Sequence, residues 1–280
     1  DHKSANVQKV VKAYLKFLKE DLGYIGFRYD MVKGFDASHV GDYNTATGIQ
    51  YSVGEYWDGV GNIKNWINNT GKKSGAFDFQ FHYNMTDAIR SNNWTKLNNS
   101  SLMSDVSYRQ YAITFVENHD IQVREDNSNE GSKDPIPTAY IPAANAFMIA
   151  MPGTPCIFQP HWKAYEHELK SMIEARKLAG ITNTSSYNNY ANNKQYFANA
   201  VNGTNGRKLL VVVGIPSMMT TPSKTEYTRI LSGKNYMYYL SSNSETAWAD
   251  KASGTYEEGF KVTLTAVSYT HLTLPTNREV

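Results

Sequence analysis

The chain has 280 residues, 41% of them hydrophobic and 19% charged, with a formal net charge of +2. That length suffices for one large domain or two ordinary ones, and the composition excludes a polar disordered chain. So small a charge gives no argument for a nucleic-acid or anionic-membrane partner, and no apolar run of about 18 residues is present to span a bilayer. Cys156 is the single cysteine, so no intrachain disulfide can form, and its apolar neighbours predict an inert core position. No signal-peptide pattern and no initiating Met precede Asp1. The abrupt start predicts a fragment, which leaves targeting unreadable.

Val7, Val11, Tyr14, Leu15, Leu18 and Leu22 recur at spacings of three or four, which predicts a helix over 4–20 with Ser4 as its cap and Gly23 as its stop. A strand follows at 24–30, then a helix, then a strand at 50–54. A short helix is expected over 62–68, a strand at 75–79 and a helix over 83–92. Residues 91–105 are rich in Asn and Ser and predict an exposed loop. The strand at 112–116 leads through a polar loop, 123–133, to a helix over 140–151 and a strand at 154–158. A helix over 166–179 turns Tyr165, Leu169, Met172 and Ile173 to one side and ends in Arg176, Lys177 and Gly180. Alternation of strand and helix argues for parallel βαβ units.

Beyond Gly180 the helical period disappears and Asn, Thr, Tyr and Gly become dense. Segments 195–201, 208–215, 227–231, 235–240 and 260–266 read as strands of a small antiparallel domain. The expected division is therefore 1–180, 181–267 and a tail at 268–280. Ser268 to Thr276 resembles translated adaptor sequence, and the tail is set aside as non-native, a genuine strand being the alternative.

Three of the early strands end in acid. Gly26-Phe27-Arg28-Tyr29-Asp30 places Arg28 and Asp30 on one strand face, because side chains alternate. Tyr51-Ser52-Val53-Gly54-Glu55 and Ala112-Ile113-Thr114-Phe115-Val116-Glu117-Asn118-His119-Asp120 repeat the theme. In a parallel barrel the C-terminal strand ends form the active face. A structural ion pair is the bland alternative for Arg28 and Asp30.

Together these stretches resemble the α-amylase family of glycoside hydrolases, in its plant-type branch and the bacterial relatives of that branch. Gly26 to Lys33 is similar to the family block G-x-R-x-D-x-x-K, Gly54-Glu55 to its third block and Asn118-His119-Asp120 to its fourth. Lys33-Gly34 and Pro152 to Phe158 carry the plant-type likeness. The family's D-x-x-x-N-H block has no match. The resemblance implies a partial (β/α)8 TIM barrel, strands four to eight, followed by an antiparallel all-β C-terminal domain.

It also implies retaining, endo-acting hydrolysis of α-1,4-glucosidic bonds in starch, glycogen and related α-glucans. The alternatives are α-glucan transglycosylation at the same site and an inactive glucan-binding fragment. Retention needs two carboxyls about 5 Å apart, one ionised and one carrying a proton. Asp30, beside the Arg28 cation, suits the nucleophile. Glu55, flanked by Val53, Tyr56 and Trp57 with no cation next to it, suits the acid/base. Asp120 is implied as the third catalytic acid, with Arg28, Lys33 and His119 binding sugar. Glu117 stands where the family more often has Asp. Glu125, Asp126, Asp58 and Asp134 read as solvated loop acids.

The implied cofactor is a structural Ca2+, to which Gly34 would give its carbonyl. Its other ligands are expected outside this fragment, so binding by the fragment itself is doubtful. The expected partner is an α-glucan, with no nucleic acid and no membrane, bound by a monomer. The resemblance favours a secreted or periplasmic parent, with the fragment alone inactive.

Overall fold

The computed structural model describes residues 1–122, 135–241, 247–249 and 264–266. The polar loop from Val123 to Lys133, the loop acids Glu125, Asp126 and Asp134, most of the strand expected at 260–266 and the tail at 268–280 lie outside the described residues. Five short strands, β1 (Gly26–Tyr29), β2 (Tyr51–Gly54), β3 (Gly75–Phe77), β4 (Ala112–Phe115) and β5 (Thr154–Cys156), form one parallel sheet in sequence order. Helices connect them in the manner of βαβ units. α1 (Ala5–Glu20) precedes β1, α2 (Ala37–Thr47) leads to β2, α3 (Val60–Asn69) to β3, α4 (Phe79–Arg90) towards β4, and α5 (Ile141–Ala150) to β5.

Local chemistry explains several boundaries. Asp36 caps α2 by accepting from Ser38 N–H at 2.9 Å. Asp78, fully buried, caps α4 through Phe81 N–H at 3.1 Å and also accepts from Met103 N–H at 2.8 Å. That second bond pulls the segment after α4 inward. The exposed loop expected over 91–105 is therefore corrected: Trp94, Ser101, Leu102 and Met103 are buried. Trp94 N–H also donates to Lys194 O at 3.1 Å, so the second half of the chain covers this segment.

α6 (Gln159–Ala179) starts earlier than expected and is kinked at Tyr165, whose φ of −132° breaks the helical ladder. Leu169 and Met172 are fully buried, and Gly180 closes the helix in the left-handed conformation at φ 72°.

The rest of the described chain forms an antiparallel sheet in the order β6 (Tyr187–Asn192), β7 (Tyr196–Asn202), β8 (Lys208–Gly214), β10 (Tyr236–Ser241), β9 (Tyr227–Gly233). β6 escaped sequence reading because its Asn-rich run lies at an edge of the sheet, where side chains stay wet. A two-stranded antiparallel ribbon, Ala247–Ala249 with Leu264–Ala266, completes the described strands.

α5 is apolar on every side and almost wholly buried, because it packs against α6, against β8 and β10 of the antiparallel sheet and, through Phe147, against Phe81 of α4. Phe147 on it meets Phe197 of β7 edge to face, with ring centroids 5.9 Å apart. One apolar core runs from Phe79 and Phe115 to Val211 and Tyr238. Arg109, 5% exposed, fastens the two halves: it donates to Met103 O at 3.0 Å and to Ser185 O at 2.8 Å, and lies over the Tyr187 ring. Arg109→Leu leaves those buried carbonyls without donors. A destabilisation of about 3 kcal/mol is expected, read as a lower urea midpoint. A shift under about 1 kcal/mol would show that Arg109 does not join the halves.

Candidate active site

The acids that end β1 and β2 meet because the two strands pair in parallel, with Tyr29 opposite Gly54. The next residue on each strand is a carboxylate, and Glu55 N–H donates to Tyr29 O at 2.9 Å, which carries the pairing one step past the strands. Gly54 is required at this point. A Cβ there would stand 2.2 Å from the Trp66 ring, itself buried at 3% exposure. The close approach of strand to indole seats Glu55 against α3.

Arg28 spans both acids. Its Nη1 is 2.7 Å from Asp30 Oδ1, and its Nη2 is 3.1 Å from Glu55 Oε1. The expectation that Glu55 has no cation beside it is thus corrected. The sequence placed Arg28 next to Asp30 alone, whereas the cross-strand register brings Glu55 to the same guanidinium. Arg28's hydrogen bond, together with one from Glu55, holds the Asp30 carboxyl below the usual aspartate range, and the nearby His119 adds to this.

Burial separates the two acids. The Asp30 side chain is 65% exposed and that of Glu55 only 6%. Glu55 Oε2 also accepts from Met31 N–H at 3.1 Å. Met31 holds φ at 46°, a left-handed conformation that non-glycine residues seldom adopt. That turn aims its N–H at Glu55 and ends β1 beside Asp30.

His119 and Asp120 come from the turn beyond β4. His119 Nε2 lies 3.3 Å from Asp120 Oδ2, and both side chains are open to solvent. Asn118 shapes the turn, its Oδ1 accepting from Asp120 N–H at 2.9 Å and Ile121 N–H at 3.1 Å.

Lys33 is held away from the acids. Its Nζ is 2.8 Å from Asp58 Oδ2 and 3.2 Å from Trp57 O, and it lies over the Tyr56 ring. Asp58 thus lies in the loop before α3, half-exposed as a loop acid, and is in addition tied to Lys33. Lys33, then Asn62 and Gly59 N–H, hold its carboxyl at about 2. Asp58 also sits at the start of α3, which explains its fixed place.

Gly34 ends the turn Val32–Gly34. No group of three or more His, Cys, Asp or Glu side chains among the described residues is arranged to hold a metal ion. The described residues thus supply no carboxylate set to accompany a Gly34 carbonyl, and they do not fit a calcium site by themselves. Cys156 is exposed at the end of edge strand β5, which corrects its expected place in the core. Side chains at that edge have no second neighbouring strand among the described residues to cover them. Sequence reasoning missed two buried residues behind the site, His161 and Asn145. A histidine two residues into the helix that follows β5 was the only available signal.

No family model matches the chain. Among curated proteins it is similar to "Probable alpha-amylase 2" of Arabidopsis thaliana, 26% identical over 257 residues, covering 84% of this chain and 59% of that protein. It is also similar to "Alpha-amylase 3, chloroplastic" of the same plant, 29% identical over 195 residues, covering 63% of this chain and 21% of that protein. Its fold matches the crystal structure of an Anoxybacillus α-amylase with a TM-score of 0.67 at 13% identity, covering 86% of this chain and 64% of that one. It also matches AmyP, solved in complex with maltose, with a TM-score of 0.59 at 13% identity, covering 83% of this chain and 67% of that one. The chain thus spans about 59% of the length of the first of these curated relatives. The sequence is similar to those of α-amylases, and the parallel sheet followed by the antiparallel sheet matches part of their fold.

Proposed function

We propose, on the premise of this kinship with the α-amylase family of glycoside hydrolases, that the full-length protein hydrolyses α-1,4-glucosidic bonds in starch-like glucans with retention. The observation that carries the proposal is one guanidinium bridging an exposed carboxylate on β1 and a buried one on β2. The names of the curated relatives favour hydrolysis over transglycosylation or binding alone.

In this reading Asp30 attacks the anomeric carbon from the open side of the site while Glu55 gives a proton to the departing glycosidic oxygen. The products of this step are a glycosyl ester on Asp30, a free sugar hydroxyl and an ionised Glu55. Arg28 fits that exchange of charge, since it faces both carboxylates and can follow the negative charge from Asp30 to Glu55. Glu55 then takes a proton from water, the water oxygen attacks the anomeric carbon from the side the leaving group left, and the ester bond to Asp30 breaks. His119 lies near Asp30, and Asp120 lies against His119; hydrogen bonds from this pair to sugar hydroxyls can strengthen as positive charge develops on the ring. Lys33, fixed by Asp58, offers its remaining donor capacity to glucan hydroxyls beyond the scissile bond. No step is assigned to calcium.

We further propose that β1 to β5 are strands four to eight of a (β/α)8 barrel formed by residues 1–180, and that residues 181–267 form a β-sandwich domain beside it. Both outer strands of the parallel sheet lack a second neighbour among the described residues. Residues 1–280 alone are accordingly expected to be inactive or nearly so, for want of a closed cleft. Release of reducing ends from soluble starch by the full-length protein tests the proposal. A protein that binds the glucan without releasing reducing ends would refute it.

A further inference from the structure

Directly behind the Asn118–Asp120 turn lies a chain of buried polar groups that the catalytic reading does not use. Glu117 is 6% exposed and His161 is 3% exposed. Glu117 Oε2 lies 2.8 Å from His161 Nε2, and its Oε1 accepts from Ile136 N–H at 2.5 Å. His161 Nδ1 faces Asn145 Nδ2 at 3.2 Å, and that amide also donates to Ile141 O at 2.9 Å. With Asn145 donating, Nδ1 of His161 is the acceptor, and the proton on Nε2 is the one given to Glu117. The end of β4, the start of α6, the interior of α5 and the segment entering α5 are thereby joined at one carboxylate.

We propose that Glu117 is a positioning residue. Held by His161 and the Ile136 amide, it fixes the direction in which the chain leaves β4, and with it the place of Asp120 and His119 relative to Asp30. The kinetic part of this inference rests on the glycosidase reading; the structural part does not.

The argument is one of donor and acceptor count. Two donors, Ile136 N–H and His161 Nε2–H, converge on Glu117 from different elements, and only an ionised carboxylate accepts from both with no donor of its own. A Gln at 117 must turn its own N–H towards one of them. Moving the His161 proton to Nδ1 gives no relief, because that atom then meets the Asn145 N–H. An Asp is one methylene shorter and cannot reach both donors from the same backbone. A group so placed, one residue before the Asx turn of Asn118, transmits any shift straight to Asp120.

The test uses the full-length protein and three variants. Glu117→Gln is expected to lower kcat on soluble starch about 10–100-fold with KM little changed, as small misplacements of catalytic groups do. His161→Leu is expected to match it. His161→Gln, which keeps an N–H donor close to the Nε2 position, is expected to stay near the wild-type kcat. Amide hydrogen exchange gives a readout that needs no activity. In Glu117→Gln and His161→Leu the Asp120 and Ile121 amides should exchange about tenfold faster, while the Val211 and Val212 amides of β8 are unchanged.

A Glu117→Gln kcat equal to wild type would overturn the proposal. So would exchange that rises equally at β8 and at Asp120, since that marks loss of stability alone. If Glu117→Gln does not fold, the contrast between His161→Gln and His161→Leu decides by the same criteria. If the wild type releases no reducing ends, the glycosidase reading fails, and the exchange of Asp120 and Ile121 still decides the role of Glu117.

Discussion

Glu55→Gln in the full-length protein is expected to lower starch turnover about 10²–10⁴-fold while leaving glucan binding within a small factor of wild type. The amide keeps the shape of the side chain and can still accept from Met31 N–H, which now lies 3.1 Å from Oε2. It cannot deliver a proton to the leaving oxygen, and it cannot take one from water in the second step. Rates with an activated leaving group should separate the two steps. A fluoride leaving group needs little protonation, so the first step recovers, and the second is then limited by the missing base. Measured kcat on starch and on an α-glucosyl fluoride, with binding followed by calorimetry, checks both points. Unchanged starch turnover in Glu55→Gln would remove Glu55 from the acid/base role.

Asp30→Asn is expected to be at least as damaging, with a loss on the order of 10⁴-fold or more, because a neutral amide forms no glycosyl ester. The pH dependence has a definite sign. The hydrogen bond from Arg28 holds the Asp30 carboxyl below the ordinary aspartate range, so the nucleophile stays ionised into more acidic solution. The acid limb of kcat/KM in the wild type should accordingly lie below that range, since activity falls only as Asp30 takes up a proton. Arg28→Met removes the stabilising donor, and the acid limb of its residual activity should move upward in pH. A limb that stays in place would show that another group controls it.

The features that were legible in the sequence are those carried by neighbouring residues. The 3.6-residue recurrence of α1, the acids that follow β1, β2 and β4 and the Asn118-His119-Asp120 turn are local patterns, and each lies at or within a few residues of its expected bounds. The contact of Arg28 with Glu55 was not legible, because it depends on the register that sets Tyr29 opposite Gly54. The same limit hid the pairing of Lys33 with Asp58 and, over a longer span, that of Glu117 with His161. The burial of Trp94 in a stretch of Asn and Ser needed knowledge of what covers it, namely the turn before β7 and Gly214 at the end of β8, whose missing side chain leaves room for the indole. Cys156 failed in the opposite sense. Its apolar neighbours suggested a core strand, but β5 is an edge of the sheet among the described residues, and Cys156 is exposed there.

The central claim is that Asp30 carries the glycosyl group between two displacements. The most direct measurement is mass spectrometry of the full-length protein after brief reaction with a fluorinated α-glucosyl fluoride, whose ester forms faster than it hydrolyses. One added sugar on the peptide that contains Asp30, absent from Asp30→Asn, is the expected result. A label on another acid, or no label together with a first product in the β configuration, would contradict the account.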